Sequence, residues 1–244
     1  MRIKILSIII TFCCLSTFFI NTTAAQQYQV KDSFARLIPL TNTFSKIIVS
    51  DGITLIYNQS EEEGLAISAK SEAFKNNLNV VVVGDTLMVS LKKYLSKGNL
   101  KPDYRVYASS SKCEYIFVKD AARLIVLGEL ASDALLITAS SASKINADLK
   151  IRSLVVNLSE ASFAEIKGEV STAIILVNEA SRFLGSDLKI SRATINAKAA
   201  SKLWLNEKDE CEIYAEAAST IYLQGQPFMK EKRLNGLSKV IIKN

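Results

Sequence analysis

Residues 142–185 read ASKINADLKIRSLVVNLSEASFAEIKGEVSTAIILVNEASRFLG, and an Ala-Ser pair opens each unit, at Ala142-Ser143, Ala161-Ser162 and Ala180-Ser181. The pair returns at Ala200-Ser201 and Ala218-Ser219, with Ala122-Arg123 before the series and Leu237-Ser238 after it. The first members stand 20, 19, 19, 20, 18 and 19 residues apart. Self-similarity at a fixed period of this size marks a repeat architecture, in which one supersecondary unit is stacked on the next.

Superposing the units gives columns. Three residues after each Ala come Ile125, Ile145, Ala164, Phe183, Leu203 and Ile221; five before come Phe117, Ile137, Val156, Ile175, Ile195 and Ile213. Apolar columns two residues apart are strand periodicity, with alternate side chains on opposite faces. Runs such as Ile174-Ile175-Leu176-Val177 are rich in β-branched residues, which favour strands over helices. Two short strands per unit, joined at an Ala-Ser corner, predict a parallel β-helix, or β-solenoid, with coils of about 19 residues stacked roughly 4.8 Å apart. Ser143, Ser162, Ser181, Ser201, Ser219 and Ser238 then form a structural ladder at one corner, where hydroxyls bond neighbouring hydroxyls or backbone. A nucleophilic serine needs a base beside it, and none recurs next to this column.

The N-terminus reads as a signal peptide, residues 1–25. Arg2 and Lys4 precede the uncharged stretch Ile5–Ile20, and Thr23-Ala24-Ala25 offers a small-residue cleavage site. Its removal takes the net charge from +6 to +4. Lys and Arg are spread along the rest, with no dense basic block of the kind that binds nucleic acid. The membrane is therefore met only during export. Residues 26–40 read as a flexible leader, and 41–244 as one β-helix domain, divided into N-terminal strands (41–107) and regular coils (113–242).

The chain contains no histidine. That excludes Ser-His-Asp and Cys-His catalysis and every His-ligated metal site. No catalytic residue, metal or cofactor is expected. Cys113 and Cys211 fall about five coils apart, near 24 Å at the strand spacing, beyond disulfide reach. Two free thiols are predicted, Cys211 facing inward.

Ahead of the repeat, Phe44–Val49, Ile53–Tyr57, Leu65–Lys70, Leu78–Val83 and Thr86–Leu91 read as strands. Gly84-Asp85 makes a hairpin turn and Asp51-Gly52 a second turn. Ser45-Lys46-Ile47 echoes the later Ser-Lys-Ile units. Either added coils or a covering sheet satisfies this segment.

Phe44-Ser45-Lys46-Ile47-Ile48-Val49 with Asp51-Gly52-Ile53, then Gly84-Asp85-Thr86-Leu87, then the small-residue Ser repeats from Ala142-Ser143 resemble the head GIN domain family, the autotransporter-like adhesins. The resemblance covers residues 44 to 242. Family repeats often carry Ser-Gly at the corner, where this chain has Ala-Ser. The resemblance implies an exported right-handed β-helix of the bacterial envelope, located in the periplasm, at the outer surface or outside the cell. It carries no catalytic residues.

Outward columns are where a binding site would stand. Trp204 and Tyr222 fall on successive coils, with Lys202 and Arg182 beside them. Such a platform suits sugar rings and acidic glycans, unless Pro227–Leu237 folds over it. A second outward column, Ile116, Leu136, Val155 and Ile174, is apolar and needs cover, from the N-terminal strands or from another subunit in a homo-oligomer. Glu160 and Glu179 share a corner column about 5 Å apart. Glycoside cleavage needs an acid pair at a defined separation, and surface glutamates stacked this way are more often solvated. The expected function is therefore non-catalytic binding or adhesion to a surface polysaccharide. The alternatives are a structural envelope component working through protein partners or self-assembly and, behind it, a polysaccharide lyase or hydrolase.

Overall fold

The computed structural model describes residues 32–93 and 102–243, so the expected signal peptide lies outside the described residues. Sixteen strands and one short helix follow in order: β1 (Ala35–Leu37), β2 (Lys46–Val49), β3 (Thr54–Gln59), β4 (Gly64–Ser68), α1 (Glu72–Asn77), β5 (Leu78–Val83), β6 (Thr86–Leu91), β7 (Arg105–Ser110) and β8 (Tyr115–Val118). The remainder are β9 (Arg123–Ala139), β10 (Lys144–Leu158), β11 (Phe163–Val177), β12 (Arg182–Ala197), β13 (Lys202–Ala215), β14 (Thr220–Gln224), β15 (Phe228–Leu234) and β16 (Lys239–Lys243). They wind into a β-solenoid of about 7 turns with coils of about 19 residues.

Each of β9 to β13 traverses a first limb, a bend and a second limb before the corner that leads to the next coil. Neighbouring coils pair in parallel: Ile145 lies against Ala164, Ala164 against Phe183, and Phe183 against Leu203. Alternation holds along both limbs. Ile145, Ala147, Leu149, Leu154, Val156 and Leu158 of one coil are all buried, and their counterparts on the other coils fill the channel between the limbs. No coil encloses an apolar interior alone; stacking does so at about 25 cal/mol per Å² of apolar surface removed from water.

The corners have a fixed conformation. The residue before each Ala and the Ala itself are left-handed: Ser141 and Ala142 at φ 53° and 59°, Glu160 and Ala161 at 54° and 60°, Glu179 and Ala180 at 54° and 58°. That conformation costs an L-residue with a side chain roughly 1–2 kcal/mol. Hydrogen bonds between coils offset it. The Ala142 N–H donates to Glu160 O at 2.9 Å, Ala161 N–H to Glu179 O at 2.9 Å, and Ala180 N–H to Ala199 O at 2.8 Å.

The first unit differs from its expected register. Lys144 pairs with Arg123 and Ile145 with Leu124, so the left-handed pair is Asp120-Ala121 and Ala122 takes the serine place. Every side chain of that unit changes face, because strand periodicity is two. Ile116, Leu124 and Val126 are buried, whereas Phe117, Ile125 and Leu127 are only partly so.

The N-terminal strands form added coils, not a covering sheet. β2 pairs in parallel with β8, and β3 with β9; β6 and β7 add a further coil beyond them, against β2 and β3. Asp51 and Gly52, at φ 62° and 68°, are a solenoid corner like the others, with the Gly52 N–H donating to Asp120 O at 2.8 Å. The Ser45-Lys46-Ile47 echo is a coincidence of composition, because Lys46 pairs with Tyr115 on the second limb and Lys144 lies on the first. Val83 opposite Thr86 closes the hairpin at Gly84-Asp85, and β4 runs antiparallel to β7. The segment expected as a leader is structured over its described part: β1 pairs antiparallel with β4, and Ile38 packs on the core.

Candidate functional site

Strand pairing sets the outer face of the first limb. Trp204 lies opposite Tyr222, which lies opposite Ile241; on its other side Trp204 faces Leu184. In-register pairing across parallel strands brings the two rings face to face, with centroids 5.2 Å apart and planes at 9°. Both side chains are half-buried. Each ring gives one face to the other, so the pair is an apolar wall two coils deep. β15 does not cover it: Phe228–Leu234 pairs with Glu210–Ala215, continuing the second limb. Arg182 and Lys202 are exposed and directly opposite each other, two residues before Leu184 and Trp204. The structure thus brings all four expected contact residues to one face.

The apolar column on the second limb is real but differently composed. Ile116 is fully buried, and its place is taken by Tyr115, which lies opposite Leu136. Leu136 and Val155 are half-buried, and Ile174 is 43% exposed. The N-terminal strands extend this face sideways and add to it Met88, at 40% exposure, on β6 and Val81 and Val83, at 41% and 61%, on β5.

At the corners, the Ser143 hydroxyl donates to Val118 O at 2.8 Å and Ser162 to Ala139 O at 3.1 Å, while the Ser162 N–H donates to Ser181 Oγ at 3.2 Å. The Ser219 hydroxyl donates to Glu216 O at 2.8 Å, and the Ser219 N–H to Ser238 Oγ at 3.2 Å. Ser143, Ser162, Ser181, Ser201 and Ser219 are buried in the wall. At the same corners Glu160 accepts from the Ser141 hydroxyl at 2.6 Å, and Glu179 accepts from the Glu160 N–H at 3.2 Å. Among the described residues no group of three or more Cys, Asp and Glu side chains stands close enough to hold a metal.

A polar depression of about 520 Å³ lies at the bend, lined by Asp133, Lys150, Arg152, Glu169 and Lys189 among others. Much of its charge is internally matched, Arg152 with Asp133 at 3.4 Å and Lys189 with Glu169 at 3.3 Å. Sequence reading missed Glu207, which is 1% exposed with neither carboxylate oxygen hydrogen-bonded. Burial, with a smaller contribution from Asp209, pushes its carboxyl up to about 8. It stands opposite Ile190, in the column of Val170 and Ile151 on the preceding coils. Cys113 and Cys211 are free and buried, and burial pushes their thiols up to about 12 and about 11.

The family model described as "Putative auto-transporter adhesin, head GIN domain" matches residues 43–227. The chain belongs to the head GIN domain family. Solved structures agree on the fold. A putative adhesin from Bacteroides fragilis NCTC 9343 is similar at 18% identity with a TM-score of 0.75, over 86% of this chain and 95% of that one. A putative adhesin from Parabacteroides merdae ATCC 43184 is similar at 15% identity and a TM-score of 0.69, over 86% and 95%. A third, described as a putative lipid binding protein from Parabacteroides distasonis ATCC 8503, is similar at 14% identity and a TM-score of 0.69, over 86% and 96%. No curated protein matches the sequence. The head GIN family and two of these three neighbours are described as putative adhesins. Among the described residues of this head GIN domain, no helix is long and apolar enough to cross a membrane.

Proposed function

We propose that this head GIN domain is a non-catalytic, adhesin-like binding protein of the cell envelope, and that a polysaccharide lies against its Trp204–Tyr222 face. The observation that carries the reading is the ring pair, stacked at 5.2 Å on an outer strand face with Arg182 and Lys202 alongside. One face of each ring is taken by the other, so the pair would meet a sugar with its outward rim, an apolar body with a polar tip. The wall stands on rigid, fully paired strands, so little conformational freedom is lost on binding. In this reading residues 1–25 direct export, and the protein works in the periplasm, at the outer surface or outside the cell. The hydrogen-bonded corner acids support a non-catalytic role. On any glycan found to be cleaved, turnover that survives substitution of Glu160 and Glu179 removes them as catalysts.

The test is a polysaccharide screen on purified protein, read by the fluorescence of Trp204, the only tryptophan. A saturable change that disappears in Trp204→Ala, with circular dichroism unaltered, supports the face. No change on any glycan in the screen sinks it.

A second reading rests on the apolar run of Tyr115, Leu136, Val155 and Ile174, which lie opposite one another on successive coils, Ile174 being 43% exposed. Contiguous apolar surface of this kind is normally covered by a partner. In this reading the protein is a structural component of the envelope, and the run packs on another protein or on a second copy of this chain. Sedimentation of wild type beside Ile174→Glu separates the cases, since self-association lost in the variant identifies a second copy.

A further inference from the structure

The corrected register brings together charges that are scattered in the sequence. Arg123 pairs with Lys144 on the next coil, and Arg182 with Lys202. Lys144 and Arg182 are each opposite Phe163; Lys202 and Lys239 are each opposite Thr220. Arg123, Lys144, Arg182, Lys202 and Lys239 therefore stand in one column parallel to the solenoid axis. Six coil steps separate the first from the last, roughly 29 Å at the strand spacing. All five are exposed.

Among the described residues, no carboxylate lies within 4 Å of any of the five; Lys150, Arg192 and Lys232 share that state, whereas Lys167, Lys189 and Lys198 are matched. Arg105, which extends the same column at its N-terminal end beyond Thr54, is paired with Asp103 and with Asp32. The acids nearest in sequence have other partners: Asp120 takes Lys119 at 3.4 Å, Asp148 takes Lys167 at 3.1 Å, and Glu179 takes the Glu160 N–H at 3.2 Å. Like charges directly opposite each other on paired strands are destabilising. Here two such pairs stand on a face whose aromatic wall begins two residues further along the same strands.

We propose that this column is the backbone-reading half of the glycan site, and that the polysaccharide is acidic: a linear chain bearing carboxylates or sulfates, laid along the solenoid axis with its charges on the ladder and its sugar rings against Trp204 and Tyr222. The inference rests on the polysaccharide reading above and adds to it the ligand's charge, its direction and three contacts, Arg123, Lys144 and Lys239. Phe163 and Thr220 interrupt the charges, so the ladder suits an anionic chain of irregular or wide charge spacing. A ladder of this kind loses affinity with rising salt, because exposed charges are screened over about 10 Å at 0.1 M ionic strength.

The test titrates purified protein by calorimetry with polygalacturonate, dextran and oligo-deoxythymidine, at about 50 and about 200 mM NaCl, a range over which contacts to a polyanion weaken strongly. The expected result is that polygalacturonate binds, loses about tenfold or more in affinity at the higher salt, and loses about as much again in Lys144→Gln/Arg182→Gln/Lys202→Gln. Lys198→Gln, which removes a cation paired with Glu216 at 2.8 Å, leaves binding unchanged. The triple variant keeps or raises its melting temperature at low salt, because it relieves repulsion. Dextran binding as tightly as polygalacturonate, undiminished in the triple variant, overturns the ladder and leaves the aromatic wall standing. If neither glycan binds, the polysaccharide reading and the ladder fall together. If the oligonucleotide binds more tightly than polygalacturonate and is lost in the triple variant, the glycan assignment is overturned in favour of nucleic acid.

Discussion

Gly168 lies directly against Leu149 on the preceding coil: a β-carbon on Gly168 would stand 2.0 Å from the Leu149 carbonyl oxygen, and its φ is 108°. Both conditions demand glycine. The site falls where pairing between β11 and β12 shifts register, at the bend. Gly168→Ala should therefore push two fully paired coils apart and destabilise the protein by about 2–4 kcal/mol. Denaturant unfolding of the variant checks this, and a loss below 1 kcal/mol would show that the bend yields easily.

The corners give a prediction of opposite sign. Ala180 is exposed and left-handed at φ 58°, and its N–H bond to Ala199 O needs no side chain. Ala180→Gly should raise stability by about 0.5–1 kcal/mol, the strain relieved exceeding the entropy that glycine adds to the unfolded chain. Ala164→Gly, at an inward position, should lower it. Equal effects at both positions would remove backbone strain as the cause.

Glu207 ties stability to pH. Its carboxyl lies near 8 in the folded protein and near 4.5 when unfolded, so folding favours the protonated form. Its contribution is fully present below pH 4.5 and is lost progressively as pH rises toward about 8, at about 1.36 kcal/mol per unit and at most roughly 5 kcal/mol in all. Glu207→Gln should be far less sensitive over this window. Urea midpoints at pH 5 and pH 8.5 measure the difference, and parallel pH profiles for the two proteins would place the carboxyl in water.

Cys113 and Cys211 are 1% and 0% exposed. Thiolate is the reactive form, and burial suppresses it here. Neither should react with a disulfide reagent at pH 8 until denaturant unfolds the chain. Rapid reaction of either thiol in the native protein would show that the coil covering it opens.

The solenoid was legible because the Ala-Ser corner and the apolar columns repeat together from Ala142 to Ser219. Reading failed at the next unit back for two physical reasons. Ala122-Arg123 resembles a corner pair although the corner is Asp120-Ala121, and β9 carries extra residues where its pairing with β10 shifts between Asn146 and Asp148. One misplaced residue sent Ile116 to the wrong face and hid Arg123 from the basic column. The N-terminal coils escaped because their corner is Asp51-Gly52 and because they do not stack in chain order. Trp204 and Tyr222 fall opposite each other as read, despite spacings of 20 and 18 around them, because each lies four residues after the Ala of its own Ala-Ser corner. Glu207 gave no signal, since a lone acid near a bend reads as surface.

The order of the N-terminal coils governs how the molecule can be assembled. The β2–β3 coil is made first, yet its neighbours are β6–β7 on one side and β8–β9 on the other. It cannot serve as the template from which later coils grow one by one, and it gains its second neighbour only after the chain has turned back past it. Each closure joins strands far apart in sequence, which is entropically slow. The five consecutive long strands downstream need only sequence neighbours. Nucleation is expected in that half, with the β2–β3 coil locked in after it.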